Sequence, residues 1–402
     1  MANIGQALTH QMVARAAAKM LVEENTIIQN INLDREEEFA RDANGYAKGE
    51  TVRVKIPPTP VTYTGATFAG GGAAPALVES SVNLTVDQQI HVPITLTAKE
   101  KKLEMSDFEA RFLKPAMNAL SSRVNSIMLA EMKNKIANTV GTWGTVPATR
   151  AVWRTASSRV DNFLCPAENR AAHFSTDAND ALAEANATLF HSQKELQGEF
   201  SENAVGYFAE LEFYKQLSLP VHLNGAGAGY VVNGAGQTGS LLAVSTGTGA
   251  VTRGTSFTLT GCNAVHPITG ADLGFLRQFV VMLDYAGGAG NVSIFPAITP
   301  TSATAIGTVT ASPTTATAVA LFGTASQGKR QNIAFHKDAF ASAFVPLPVL
   351  ASCTGYTATF KGVSVRVMTF GNGLTDQENT RIDVLFALPA GIRPDHAVRI
   401  TE

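Results

Sequence analysis

Residues 82–96 read VNLTVDQQIHVPITL, and this stretch decides the fold. Apolar side chains stand at the even positions and polar ones at most odd positions; Gln88 interrupts the apolar set, and Pro93 indicates an edge. This alternation predicts a β-strand with one solvated face. At the rise of a strand, about 15 residues span roughly 50 Å, whereas an ordinary strand has about 5–6 residues.

The apolar face of so long a strand needs cover, because an uncovered one is an aggregation site. The simplest cover is a neighbouring copy of the chain. The pattern therefore favours a structural, self-assembling protein over an enzyme. Two cations on the preceding strand are candidates for pairing with acidic groups of that neighbour, each exposed pair contributing about 0–1 kcal/mol. The predicted intersubunit contact residues are Arg53, Lys55, Val82, Leu84, Val86, Ile90 and Val92.

The composition excludes several classes of function. The chain has 402 residues, a net charge of −2 and only 16% charged residues, against about 25% in typical globular chains. Without a basic block, sequence-specific nucleic-acid binding is not expected. Three scattered cysteines argue against a disulfide framework or a zinc site. Hydropathy predicts no membrane span, and the charged N-terminal segment predicts no secretion signal.

Helical periodicity appears in four places. Residues 4–21 predict an amphipathic helix, either packed on its own domain or acting as a docking arm. Residues 115–140 predict a long spine helix that Gly141 ends. Residues 177–193 and 209–217 predict two further helices.

From about residue 219 to 326 the sequence is rich in Gly, Thr, Ala and Ser and poor in charge, which predicts a separate all-β module. Residues 301–320 fit either a loop or a β-branched strand. Alternation also predicts late strands near residues 363–367 and 382–388. The strands expected within the module are 241–245, 255–259, 279–283 and 292–295.

Two glycine-rich motifs fail as nucleotide sites. Residues 323–329 have the spacing of a phosphate-binding loop, but Arg330 stands where that loop needs Ser or Thr, and a strand rather than a helix follows. Residues 225–229 have the wrong spacing for a dinucleotide loop and are interpreted as a connector. The eight histidines are scattered, and we predict no catalytic residue, metal site or cofactor.

Three further stretches carry a family resemblance: GETVRVKIP at 49–57, QNIAFHKDAF at 331–340, and the ending with GVSVRV at 362–367 and TRIDVLF at 380–386. In this order they resemble the major capsid (coat) proteins of tailed double-stranded-DNA bacteriophages, whose fold is shared with encapsulins. The podovirus branch with an inserted β-domain is the most similar. The implied fold class is α+β, the tailed-phage capsid fold with an inserted all-β domain.

The resemblance implies a domain order. It places an N-terminal arm at 1–44, an extended β loop at 45–100, a peripheral domain with the spine helix at 101–145, the first part of an axial domain at 146–234, the inserted β domain at 235–326 and returning strands of the axial and peripheral domains at 327–402.

The resemblance also implies a function without enzymatic activity. Subunits would form pentamers and hexamers of an icosahedral capsid around double-stranded DNA, which they contact non-specifically. A scaffolding protein and a portal would take part in assembly in the host bacterial cytoplasm, and the location would be the virion capsid. Alternatives are an encapsulin-like compartment shell and, from another class, a phage tail or adhesin component.

Overall fold

A computed structural model describes residues 10–33, 51–56, 66–67, 80–97, 112–186, 206–302, 306–372 and 377–402. Its α-helices are α1 His10–Glu24, α2 Thr26–Asn30, α3 Lys114–Lys135, α4 Arg150–Asp161 and α5 Thr176–Asn186, with short 3-10 helices at Lys337–Ala339 and Pro394–His396.

The strands alternate with these helices early in the chain and dominate its second half. They are β1 Thr51–Ile56, β2 Ser80–Thr97, β3 Thr139–Val140, β4 Arg170–Phe174, β5 Tyr207–Phe208, β6 Leu211–Lys215, β7 Val221–Leu223, β8 Val231–Val232, β9 Gly239–Ser245, β10 Ser256–Val265, β11 Asp272–Val281, β12 Gly290–Ile298, β13 Val319–Leu321, β14 Gly328–His336, β15 Phe340–Ala341, β16 Thr354–Phe360, β17 Val363–Asn372, β18 Gln377–Ala387, β19 Ala390–Gly391 and β20 Ala397–Thr401.

The chain divides into two compact units. The first contains Met1–Val54, Val82–Met128 and Phe340–Ala390, and the second contains Lys55–Ser81, Leu129–Ala339 and Gly391–Glu402.

The first unit is built on a five-stranded sheet in the order β1-β2-β18-β17-β16. Helix α1 packs on β16 and β17, which confirms the alternative in which the N-terminal helix packs on its own chain. One helix face provides the contact, with Val13, Ala17 and Leu21 among its buried residues. The His10 ring nitrogen lies 2.9 Å from the Thr369 hydroxyl, which links the start of α1 to β17.

The second unit contains a mixed sheet in the order β3-β20-β14-β4-β6-β5. The predicted helix at 209–217 is wrong, because β6 forms there and pairs in parallel with β4. Ala209 and Glu210 both have positive φ, at 52° and 61°, so the chain turns before β6 and cannot continue a helix. Phe213 then packs edge-on against Trp153 at a centroid distance of 5.0 Å, and this packing outweighs local helix propensity.

The spine helix α3 has 22 residues, a length of about 33 Å. The predicted end at Gly141 is wrong, because residues 139–140 form β3 and pair in parallel with β20. Asn138 fixes this change of direction, since its amide donates to the carbonyls of Asp395 and Ala397, both at 3.1 Å. The helix predicted at 177–193 is present as α5 to Asn186, and its remainder lies outside the described residues.

Strands β8–β13 form the all-β region that composition predicts. Their order is β13-β10-β11-β12-β9-β8, and the first and last strands also meet. Val319 N donates to Tyr230 O at 2.9 Å, and Val232 N donates to Thr317 O at 2.9 Å, so the sheet closes into a six-stranded barrel. Its apolar core includes Phe257, Phe279, Val281 and Ile294. Val231 and Val232, which precede residue 235, are part of this barrel.

The chain enters and leaves the barrel through neighbouring strands. β7 and β14 pair antiparallel, with Leu223 opposite Gly328 and His222 opposite Lys329. Just beyond them, Asn224 N donates to Gln327 O at 3.1 Å. The strand predicted after the 323–329 motif is present, because β14 begins at Gly328, where a phosphate-binding loop would need a helix.

Candidate assembly surface

The candidate surface is the ribbon formed by β1 and β2. Strand β2 has 18 residues, or roughly 60 Å at strand rise. From Val86 opposite Ala387 to Thr97 opposite Gln377 it pairs with β18, and β1 lies on its other side. The long strand therefore pairs on one side with β1 and on the other with a strand from the end of the chain.

The two faces of the ribbon differ as the alternation predicts. Asn83, Asp87 and His91 are exposed, whereas Leu84 and Val86 are only 0% and 8% exposed. The Thr51 and Thr85 hydroxyls lie 3.0 Å apart, so the odd-numbered residues of both strands share the solvated face.

The seven predicted contact residues divide into three groups. Leu84 and Val86 are buried within the chain itself. The half-buried ones are Val82, Ile90 and Val92. Arg53 and Lys55 have exposed side chains on β1, an edge strand of this sheet. Charges on an edge strand discourage pairing with unrelated strands.

A buried ion pair lies beside the ribbon, in strands β17 and β18 of the same sheet. Asp383, whose side chain is 0% exposed, pairs with Arg366 directly across β17 and β18. Arg366 Nε donates to Asp383 Oδ1 at 2.9 Å and Nη2 donates to Oδ2 at 2.5 Å. Gln89 of the ribbon donates to the same carboxylate at 2.9 Å. This carboxylate thus connects three strands.

Sequence reasoning missed this pair. The available signal was that each of the two predicted late strands contains one charged residue, and that these charges, on Arg366 and Asp383, are opposite in sign. Only the register of β17 against β18 makes the two residues direct cross-strand neighbours.

The described part of the chain contains no group of three or more His, Cys, Asp or Glu side chains able to hold a metal ion. Within the same residues, none of the helices combines the length and apolarity needed to cross a bilayer.

A long ribbon, a spine helix, a mixed α/β sheet and late strands returning to the ribbon define the class as the tailed-phage capsid fold. A solved structure from Mycobacterium phage Che8 shares this fold with a TM-score of 0.50 at 10% identity, covering 94% of this chain and 90% of that chain. The capsid structure of cyanophage P-SCSP1u gives a TM-score of 0.44 at 10% identity, covering 100% and 91% respectively. A virus-like particle from Pyrococcus furiosus gives 0.43 at 7% identity, covering 98% and 100%.

The family model described as "P22 coat protein - gene protein 5" matches residues 37–400. The chain therefore belongs to the P22 coat protein family, and its role is that of a structural capsid protein. None of the curated proteins matches the sequence.

Proposed function

We propose that this coat protein assembles as pentamers and hexamers into a closed icosahedral shell that encloses the double-stranded DNA of its phage. The observation that carries this proposal is the ribbon. It extends over 18 residues with an apolar face that the chain covers only in part.

In this proposal the ribbon lies over a neighbouring subunit. Val82, Ile90 and Val92 supply the apolar area that remains for a partner, and Arg53 and Lys55 face its polar groups. Leu84 and Val86 contribute indirectly, because they are buried and set the shape of the strand. Many modest contacts of this kind add through multivalency when a shell closes.

The wider assignment rests on family membership. We propose that residues 1–44 act as the arm, 45–100 as the extended loop and 101–145 as the peripheral domain with the spine helix. We further propose that residues 146–234 form the first part of the axial domain, 235–326 the inserted domain, and 327–402 the returning strands of the axial and peripheral domains. A scaffolding protein and a portal assist assembly in the host cytoplasm. A net charge of −2 suits weak, non-specific contact with packaged DNA. A strongly basic surface would instead neutralise many phosphates and bind the DNA tightly.

Electron microscopy of the full chain, expressed with and without the neighbouring phage gene products, tests the proposal. We expect closed shells or open sheets of subunits, dependent on a co-expressed partner. The test variant replaces Ile90 and Val92 with Asp. A buried unpaired carboxylate costs several kcal/mol, so assembly should fail while circular dichroism shows a folded subunit.

The matched control is Thr95→Asp on the exposed face of the same strand, where the hydroxyl donates to Asn379 at 2.9 Å. It should assemble as the parent does. Normal shells from the Ile90 and Val92 variant would refute the role of the ribbon. A stable monomer or dimer of the parent under every condition would refute the capsid assembly itself.

A further inference from the structure

The second unit contains two buried cations without a carboxylate partner. Lys133, in the last turn of α3, is 8% exposed, and Arg399, in β20, is 1% exposed. Within the described ranges, no carboxylate oxygen lies within 4.0 Å of either side chain. A buried charge costs several kcal/mol unless it is paired, so two of them together need an explanation.

The hydrogen bonds of Arg399 leave one edge of its guanidinium open. Nη1 donates to the Gly254 carbonyl at 2.7 Å, while Nε and Nη2 have no acceptor among the described residues. These two nitrogens lie on the same side of the planar group. Their parallel N–H bonds form the fork that binds two oxygens of an oxyanion.

Lys133 faces a neutral partner. Its Nζ lies 3.2 Å from His222 Nδ1, and His222 Nε2 lies 3.2 Å from the Thr255 hydroxyl. Because an ammonium only donates, Nδ1 must accept and the ring proton sits on Nε2. His222 therefore neutralises neither cation.

The nearby carboxylate is already shared. Glu131 accepts from Arg253 at 2.7 Å and pairs with Lys135 at 3.0 Å. Glu131 is thus shared by Lys135 and Arg253, and among the described residues Lys133 and Arg399 have no carboxylate partner. Burial and then the charge of Arg399 lower the pKa of Lys133 to about 8, and burial lowers the pKa of Arg399 to about 9.

We propose that the last turn of α3, the barrel segment 253–255 and β20 form a binding site for one small inorganic anion, held on the Nε and Nη2 edge of Arg399 with Lys133 beside it. The anion compensates the two cations and connects the barrel to α3 and β20. This inference does not depend on shell assembly, and unassembled subunits suffice to test it.

The first experiment measures the thermal midpoint of the full chain in sodium phosphate and sodium chloride at equal ionic strength, against a buffer with a bulky organic anion. We expect phosphate to raise the thermal midpoint in a saturable way, by about 3 °C when its concentration is about ten times its dissociation constant. Lys133→Met should lose at least half of that rise. Lys135→Met, which removes an equal charge two residues away, should keep it.

The second experiment does not rely on stability. Equilibrium dialysis of folded protein at 25 °C against labelled inorganic phosphate should give one equivalent per chain for the parent and for Lys135→Met, and a reduction of at least tenfold for Lys133→Met. Two results would overturn the proposal. One is equal phosphate binding by Lys133→Met and Lys135→Met; the other is no binding by the parent together with an identical salt response of all three proteins. Either result would leave water as the partner of Arg399.

Discussion

The carboxylate of Asp383 connects the ribbon to its sheet, and its replacement by asparagine has a large expected cost. The side chain of Asp383 is 0% exposed and that of Arg366 is 7% exposed. Asp383→Asn keeps the shape of the side chain but leaves the Arg366 guanidinium as a buried charge without its counterion. Removing one member of a buried pair costs about 3–5 kcal/mol, so we expect a loss of that size in the free energy of unfolding.

The double variant Arg366→Met with Asp383→Leu sharpens the test. Replacing both members of a buried pair by apolar residues is often neutral or stabilising. The double variant should therefore recover the part of the loss that comes from Arg366, while Arg381, 3.2 Å from the same carboxylate and 33% exposed, still loses its partner. Glu23→Gln is the exposed control, because Glu23 and Lys19 are 58% and 61% exposed at 3.7 Å, and such pairs contribute little.

Urea unfolding of the unassembled chain measures these differences, and hydrogen exchange locates them. Gln89 donates to Asp383 and β2 pairs with β18, so amides of β2 should exchange faster in Asp383→Asn. A loss below about 1 kcal/mol, as for an exposed pair, or unchanged exchange in β2, would refute the reasoning.

Three further predictions concern the second unit. Burial lowers the pKa of His173 to about 3, from an unfolded value near 6.5, so the free energy of unfolding should fall as the pH drops below about 6.5, by about 2 kcal/mol at pH 5. Denaturant titrations at pH 7 and pH 5 should show a smaller loss for His173→Phe than for the parent. An equal loss in both proteins would contradict this prediction. Arg170, 3% exposed, pairs with the half-exposed Asp161 and Glu210 and donates to the buried Cys165 carbonyl at 2.6 Å. Arg170→Met leaves that carbonyl without its donor and should cost about 1–3 kcal/mol of unfolding free energy; a cost no larger than that of the exposed control Arg154→Met would refute this. Replacing residues 225–326 with Asn-Gly, a turn suited to the paired strands β7 and β14, should leave the remaining sheets folded by circular dichroism, and a wholly unfolded product would show that they depend on the barrel.

Local periodicity was enough to place the ribbon and the late strands around Val365 and Val384. Burial alternates along the ribbon, whereas both faces of the late strands are buried at residues 363–368 and 382–384. It was not enough where distant residues decide the outcome. Strand β6 depends on the packing of Phe213 against Trp153, and the end of α3 depends on β20, which arrives more than 250 residues later.

The candidate site shows the same division. The apolar face of the ribbon follows from residues two apart, but the pairing of its edge with β18 does not, because that register joins Gln89 to Leu385. Barrel closure was equally out of reach, since the Thr-rich segment before β13 shows no clear period and meets Val232 only after the chain has gone round the barrel. Non-local pairing of this kind is specified by the whole core rather than by a window of sequence.

The charges of the barrel explain how it joins the rest of its unit. Residues 225–326 contain four charged side chains, Arg253, Asp272, Arg277 and Asp284. Both arginines reach outside the barrel, Arg253 to Glu131 at 2.7 Å and Arg277 to Asp395 at 2.5 Å. The barrel therefore folds around an apolar core, and two ion pairs help to join it to the rest of its unit. Side-chain exposure is 35% and 12% in the Arg253–Glu131 pair and 2% and 33% in the Arg277–Asp395 pair. Because salt screens largely buried pairs much less than exposed ones, these two contacts should persist at salt concentrations that screen an exposed pair such as Lys19–Glu23.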